Sequence, residues 1–139
     1  MPLDPTHPKY NHVVQRLRAE PIIWLSSVRP DGRPHLVPVW FLWDGAAIFI
    51  FSQPQAQKLR NLRANPAVTL ALEAADEGGD IAILEGTATI GATRDGASVL
   101  PAYAAKYEKS ITQMGWTLET MTASYSRLIQ VTPLRLIAW

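Results

Sequence analysis

The sequence predicts a mainly β fold: a small antiparallel barrel of six or seven short strands, with two or three helices inserted between them. The chain has 139 residues, 47% of them hydrophobic, which is enough for one globular domain with a buried core. Short runs rich in β-branched and aromatic residues recur along it, and turn residues separate them. Intervals with helical spacing lie between these runs. Closing the strands into a barrel would hide the edges that they otherwise expose.

The first part of the chain predicts a helix followed by three antiparallel strands. Apolar residues at helical spacing indicate a helix over 10–20, which Pro21 ends. Pro30, Asp31 and Gly32 mark a first hairpin turn, and the pair at 44–45 marks a second. The predicted strands around these turns cover residues 22–28, 34–43 and 46–52.

The remaining chain predicts more of the same elements. Ser52 and Gln55 have the spacing of a capping box, so a helix is expected over 54–65, ending before Pro66. Pro101 indicates a break or a new start in a helical pattern over 95–109. The other predicted elements are strands over 67–74 and 81–93, a short helix over 116–123, and closing strands over 127–132 and 134–139 around Pro133.

Composition and charge exclude several classes of protein. The formal net charge is +1, which does not favour nucleic acid or an anionic membrane as a partner. There are no cysteines, hence no disulfides, thiolate metal sites or cysteine nucleophiles. The first residues lack the pattern of a signal peptide, and the apolar runs are too short to span a bilayer. We therefore expect a single cytoplasmic domain over 1–139.

Catalysis by side chains alone has little support in the sequence. It contains no glycine-rich phosphate loop, no GxGxxG and no HExxH motif, and its three histidines are too dispersed to predict a metal site. A nucleophile and base would need His35 beside Ser26, Ser27 or Ser52, but a partly exposed strand histidine is the simpler interpretation. Chemistry carried by a bound cofactor is the interpretation that these absences leave.

Two segments fit a cofactor. Lys58, Arg60 and Arg63 concentrate positive charge near the start of the helix over 54–65, which suits a phosphate group, although composition alone favours a solvated basic face. The strand over 34–43 is apolar on both faces although it contains prolines. Alternation places His35, Val37, Val39, Phe41 and Trp43 on one face and Leu36, Pro38, Trp40 and Leu42 on the other. One face can fill the barrel, and the other needs a partner subunit or a flat ring.

The order of motifs resembles the pyridoxamine 5′-phosphate oxidase-like superfamily of split-barrel flavin and deazaflavin oxidoreductases. The matching pieces are LSSVRPDGRPHLVPVWFLWDG, IFIFSQPQAQKLRNLRANPAVTLALE, ILEGTATI and LIQVTPLRLIAW. They cover roughly residues 10–139, and the sequence is most similar to a short branch of deazaflavin-dependent enzymes. The resemblance implies a six-stranded antiparallel split β-barrel of the FMN-binding type, which forms a homodimer with cofactor sites at the subunit interface.

The resemblance also implies which residues contact the cofactor. The strand that matches the family's ring-binding strand contributes Val37, Pro38, Val39 and Trp40. The ribityl chain and phosphate would meet Ser52, Gln57, Lys58 and Asn61, and the first hairpin borders the cofactor through Ser26, Ser27 and Arg29. C-terminal strands of the partner, around Trp139, would help to close the site. No catalytic side chain and no metal ligand are implied.

The expected activity is hydride transfer from a bound deazaflavin, coenzyme F420, to a small organic substrate. FMN is the alternative cofactor, because basic residues at a phosphate site serve either molecule. A non-catalytic flavin-binding or sequestering protein is a second alternative. The sequence ends at LRLIAW without the basic C-terminal segment of the oxidase proper, so we do not expect oxidation of vitamin B6.

Overall fold

The computed structural model describes residues 3–139, and within them the chain forms seven strands and four α-helices. Prolines and glycines bound most of these elements, as the sequence predicts. The elements in chain order are α1 Tyr10–Ala19, β1 Ile23–Val28, β2 Pro34–Val39, β3 Leu42–Trp43, β4 Ile48–Ser52, α2 Gln57–Ala64, β5 Ala67–Leu72, β6 Ala82–Ala92, α3 Leu100–Gln113, α4 Leu118–Ser124 and β7 Arg127–Ala138.

All seven strands belong to one antiparallel sheet in the order β2-β1-β5-β6-β7-β4-β3. The prediction of a mainly β antiparallel fold with inserted helices is therefore confirmed. The prediction of a closed six-stranded barrel is wrong in two respects. The sheet has seven strands, and no ladder of hydrogen bonds joins its edge strands β2 and β3 within residues 3–139.

The seventh strand arises because the segment predicted as one strand over 34–43 is broken at Trp40 and Phe41. Its first part pairs with β1 at one edge of the sheet, and its last two residues pair with β4 at the other edge. The Tyr107 hydroxyl forms hydrogen bonds with the backbone of Phe41. Its oxygen lies 2.8 Å from the Phe41 amide nitrogen, which donates to it, and 3.0 Å from the Phe41 carbonyl oxygen. A side chain thus satisfies backbone groups that a continuous ladder would otherwise pair.

The two predicted closing strands are one strand, β7, which pairs with β6 along its whole length. The register shifts between Glu85 and Gly86, so that Leu134 has no partner residue and lies 60% exposed. This is a β-bulge, which accommodates Pro133 without ending the strand. Gly86 fits the bulge because a Cβ at that position would lie only 2.5 Å from the carbonyl oxygen of Thr132.

Two predictions about helix ends also change. The predicted capping box of Ser52 and Gln55 is wrong: the N-cap of α2 is Ala56, which provides no side-chain acceptor, and the Ser52 hydroxyl donates to the carbonyl of Gln53. The pattern over 95–109 divides into a 3-10 turn and then α3. Pro101 lies in the first turn of α3, where its missing N–H costs nothing.

The core consists of two clusters on opposite faces of the sheet. The larger one fills the inside of the curved sheet and includes Val39, Phe41 and Trp43, as the alternation predicts. The second lies between the outer face of β4 and the helices α3 and α4. Because both faces of β4 are covered, all five of its residues are buried. On the outer face of the segment 34–43, Trp40 and Leu42 are covered, whereas Leu36 and Pro38 remain exposed.

Candidate functional site

A cavity of about 330 Å³ opens between the sheet and the helices α3 and α4. The sheet side of its lining comes from the end of β2 and the residues beside it, namely Ile22, Pro38, Val39 and Trp40. Tyr107 stacks on the Trp40 indole with ring centroids 4.4 Å apart and planes within 4°. This contact fixes Trp40 at the point where the strand breaks.

The helical side of the cavity is almost entirely aromatic and thioether. It comes from α3, from α4 and from the chain on either side of α4, and its residues are Tyr103, Met114, Trp116, Met121 and Tyr125. Phe51, at the end of β4, lies between the two sides and contacts the Tyr103 ring edge-on, with centroids 4.9 Å apart. Gln53 and Lys58 add polar groups beside this apolar lining.

Arg29 and Lys58 form a cationic cluster that acts on His35, and Lys58 also lines the cavity. Burial lowers the pKa of His35, and the positive charges of Arg29 and Lys58 lower it further. Burial also lowers the pKa of Lys58. None of the ion pairs found within residues 3–139 includes Arg29 or Lys58. Positive groups held together without an acidic partner favour an anion as their ligand.

A hydrogen-bond chain anchors α2 to β1 next to this cluster. Asn61 is fully buried; its amide donates to the Ser27 hydroxyl at 3.0 Å, and its carbonyl oxygen accepts from the Gln57 amide at 2.8 Å. Gln57 in turn accepts from the Arg60 guanidinium at 2.5 Å. Asn61 therefore faces the interior, whereas Lys58 lines the cavity.

The structure divides the predicted site residues into groups. Pro38, Val39, Trp40 and Lys58 line the cavity. Ser27, Gln57 and Asn61 form the buried hydrogen-bond chain, and Arg29 belongs to the cationic cluster. Val37 packs against the core and Ser52 is fully buried, so neither side chain lines the cavity. Ser26 faces away from the core beside Leu36, with which it is paired.

A serine nucleophile activated by His35 is not found among the described residues. Ser27 lies directly opposite His35 in the β1–β2 register, but its hydroxyl accepts from Asn61. The buried Nδ1 of His35 has no hydrogen-bond partner. The arrangement therefore lacks the serine–histidine hydrogen bond that nucleophilic catalysis requires.

The helical lining of the cavity was not predicted from the sequence. The residues from Tyr103 to Tyr125 are separated from β2 by more than sixty positions along the chain, and their spacing resembles that of ordinary helix core. The clustering of aromatic and methionine residues over 103–125 was the available signal. It could not show that these side chains face Trp40 and Lys58.

The residues present fit a flavin-type cofactor. Arg29 and Lys58, which form no ion pair among the described residues, match a phosphate group together with the unpartnered Nδ1 of His35. The uncapped N-terminus of α2 adds backbone N–H groups on the same side as Lys58. The apolar residues Pro38, Val39 and Trp40, which line the cavity, match a flat ring.

The family model for pyridoxamine 5′-phosphate oxidase matches residues 11–139. The chain belongs to this family. No match was found among curated protein sequences. Among solved structures, an F420 reductase is similar at 27% sequence identity, with a TM-score of 0.69, over 88% of this chain and 94% of the reductase.

Two further structures of this fold have lower identity. The conserved hypothetical protein Rv2991 from Mycobacterium tuberculosis is 23% identical, with a TM-score of 0.75, over 93% of this chain and 82% of its own. HutZ, the heme storage protein from Vibrio cholerae, is 18% identical, with a TM-score of 0.69, over 99% of this chain and 95% of its own. At these identities the likeness shows the fold, which oxidoreductases and heme-binding proteins share.

Two other kinds of site are not found in the part of the chain that the structure describes. No helix over 3–139 is long and apolar enough to cross a membrane. No group of three or more histidine, cysteine or carboxylate side chains in that range could hold a metal ion.

Proposed function

We propose that the protein is an oxidoreductase that uses bound coenzyme F420 to transfer a hydride to a small organic substrate. The observation that carries this proposal is the cationic cluster of Arg29 and Lys58, for which no acidic partner is found within residues 3–139 and which adjoins His35 and an apolar wall. A phosphate on the cluster would place an attached ring along Pro38, Val39 and Trp40. The family membership and the likeness to an F420 reductase support the same chemistry.

In this proposal the protein binds the coenzyme, orients its ring and excludes water from the site. The coenzyme supplies the hydride when bound, so no strong acid or base is required of the chain. Lys58 and Arg29 would hold the phosphate. The hydrogen-bond chain of Ser27, Asn61 and Gln57 fixes α2 against β1 and so positions Lys58 for this contact. Trp40, fixed by its stack on Tyr107, gives the ring a rigid edge. Tyr103 of α3 and Met121 of α4, the buried members of the helical lining, would keep water from the reacting face.

FMN is the alternative cofactor, and the basic surface beyond Lys58 favours F420 over it. F420 carries an acidic tail that FMN lacks, and Arg63 is exposed in the last turn of α2 where such a tail could reach. Arg60 is less suited, because it already donates to the carbonyl of Gln55 and to Gln57. We therefore assign the contact with the acidic tail to Arg63 rather than to Arg60.

We further propose that the active form is a cytoplasmic homodimer. A row of apolar side chains crosses the outer face of the sheet through paired positions Pro38, Trp24, Ala71, Ile83 and Ile137. Pro38 is exposed and the others are only partly buried. A second subunit on this row would also cover the edge strand β2 and complete the cofactor site. Sedimentation of the purified protein tests this, and Ile83→Glu is expected to give monomers.

The experiment that tests the function is a pair of titrations followed by turnover. The protein is titrated separately with F420 and with FMN, each followed by absorption and fluorescence. Whichever cofactor binds is then reduced and mixed with the protein and electron acceptors, with both cofactor and acceptor in excess over the protein. Tighter binding of F420, with turnover, is expected. Micromolar binding of FMN alone overturns the cofactor assignment, and binding without any acceptor reduction supports the sequestering alternative instead.

A further inference from the structure

The chain over residues 117–125, which we call the α4 segment, is hydrogen-bonded only to itself within the described part of the protein. Thr117 and Thr120 form a capping box at its start. The Thr122 hydroxyl donates to the carbonyl oxygen of Leu118, one turn earlier. None of the ion pairs found over 3–139 includes a residue of the segment. The α4 segment is therefore a self-contained unit.

The preceding helix, α3, is closed separately from this segment. Gly115 has a φ of 74°, and its N–H donates to the carbonyl oxygen of Thr112 at 3.0 Å. The N–H of Trp116 donates to the carbonyl oxygen of Ile111, also at 3.0 Å. These two bonds form a Schellman motif, which satisfies the last carbonyl groups of a helix. No hydrogen bond among the described residues crosses from 116 to 117, so the chain can rotate at this link without losing one.

Apolar packing holds the α4 segment against the rest of the protein. Met121 is its one buried residue, and Leu118 and Tyr125 are partly buried against the same apolar cluster. A helix of seven residues is not stable by itself in water, so this packing keeps the segment folded. Parts of a protein with few buried contacts open at a lower free energy than the whole protein unfolds. We therefore expect the segment to open locally.

The α4 segment covers the cavity in which the cofactor ring is proposed to lie. Met121 and Tyr125 line this cavity from the side that faces Trp40. The Tyr125 ring lies against the Trp116 ring at the end of α3, with centroids 6.1 Å apart and planes at 44°. Tyr103 also lines the cavity but is only 2% exposed. The cavity volume of about 330 Å³ is near the lower end of the range for small-molecule pockets, about 300–1,000 Å³. A flat ring that reaches Tyr103 therefore requires the cover to move.

We propose that the α4 segment is a lid, which swings away from the cavity as one unit and closes on the bound cofactor ring. It moves about the link between Trp116 and Thr117 and about Ser126, which connects it to β7. In the closed state Met121 packs on the ring, and the contact between Trp116 and Tyr125 closes the entrance. Opening is a property of the free protein, whereas the identity of the ring rests on the proposed function.

Hydrogen exchange of the free protein, followed by mass spectrometry, tests the opening. Amides over 117–125 should exchange at least about tenfold faster than those in the middle of α3. Their rates should also change little with low concentrations of urea, because a local opening exposes little surface. Exchange of the segment only through global unfolding, with the same urea dependence as β6 and β7, overturns the lid.

The replacement of Met121 by alanine tests whether the segment opens as one unit. It removes packing but no hydrogen bond, so exchange over 117–125 should rise by a common factor of at least about tenfold. A rise graded from the two ends indicates fraying and refutes the lid. Met121→Leu keeps the volume and should restore the wild-type rates. Val99→Ala is the control: Val99 is buried in the same apolar cluster outside the cavity lining, and its loss should leave these rates unchanged.

Exchange with cofactor tests the closing. Whichever of F420 and FMN binds should slow exchange over 117–125 by at least about tenfold at saturation, and Met121→Ala should speed its dissociation. A cofactor that protects α2 but leaves the α4 segment unchanged overturns the closing on the ring, and the proposed function stands. If neither cofactor binds, the proposed function fails, and the exchange of the free protein decides the lid by itself.

Discussion

The replacement of Lys58 by methionine separates a cofactor-binding role from a structural one. Lys58 is half-buried, its pKa is lowered by burial, and none of the ion pairs described within 3–139 includes it. Methionine keeps the apolar stem and removes the charge. The free energy of unfolding is therefore expected to stay the same or to increase, because an uncompensated cation is taken out of a partly desolvated position.

The affinity for the cofactor should fall in the same variant. A hydrogen bond to a charged group contributes about 1.5–3 kcal/mol, which corresponds to about 10- to 150-fold in dissociation constant. Fluorescence titration with F420, and separately with FMN, measures this at constant ionic strength. Lys109→Met is the matched control, because Lys109 is an exposed lysine on α3 outside the cavity lining. Unchanged cofactor affinity in Lys58→Met, with the protein folded, refutes the assignment of the phosphate to this cluster.

The same assignment predicts a pH dependence. Burial lowers the pKa of Lys58 in the free protein, and a bound phosphate would raise it again. Binding therefore favours the protonated lysine, so the affinity of the wild type should fall as the pH rises through the pKa of the free protein. Lys58→Met should lose this fall. A wild-type affinity that is independent of pH up to pH 11 would contradict a charged Lys58–phosphate contact.

Urea denaturation tests three further variants, and its pH dependence tests a fourth position. Asn61→Ala should lower the free energy of unfolding by about 2–3 kcal/mol, because two hydrogen bonds are lost and buried groups stay unsatisfied. Tyr107→Phe should lower it by about 1–3 kcal/mol, because the buried N–H of Phe41 loses its acceptor. Gly86→Ala should also lower it by about 1–3 kcal/mol, since the new Cβ would meet backbone atoms. Burial lowers the pKa of Lys106 from 10.5 to about 8, so the unfolded chain keeps a proton that the folded protein loses; stability should rise between these pH values, and Lys106→Met should remove that rise. A loss of unfolding free energy below about 0.5 kcal/mol in any of the three variants would contradict the prediction for that variant. A wild-type unfolding free energy that is constant over that pH range would contradict the prediction for Lys106.

Local sequence signals placed most elements correctly. The hairpin at Pro30–Gly32, the helix that ends before Pro21 and the alternation of Val37 and Val39 against Leu36 and Pro38 all depend on residues close together in the chain. The proline in the first turn of α3 also acts locally, by position. Such features follow from turn chemistry and periodicity, so one sequence suffices to predict them.

Errors arose where a distant side chain replaced a local partner. The strand over 34–43 breaks because Tyr107, 66 positions away, bonds the backbone of Phe41. The sequence also gives no sign that Asn61 is buried, with its amide donating to Ser27, 34 positions away. No periodic pattern contains these pairings, since a polar residue on a helix is consistent with either solvent or a buried partner.

The antiparallel strands, the inserted helices, the basic start of α2 and the family all follow from the amino-acid sequence. Three features are visible only in the folded protein: α3 and α4 pack on the outer face of β4, Tyr107 stacks on Trp40, and an aromatic cavity faces Lys58. The difference comes from how far apart the interacting residues lie along the chain. Turns and amphipathic periods are set by neighbours in the chain, whereas the site is made by side chains from both ends of the sequence, which meet only when the sheet curves and the helices cover it.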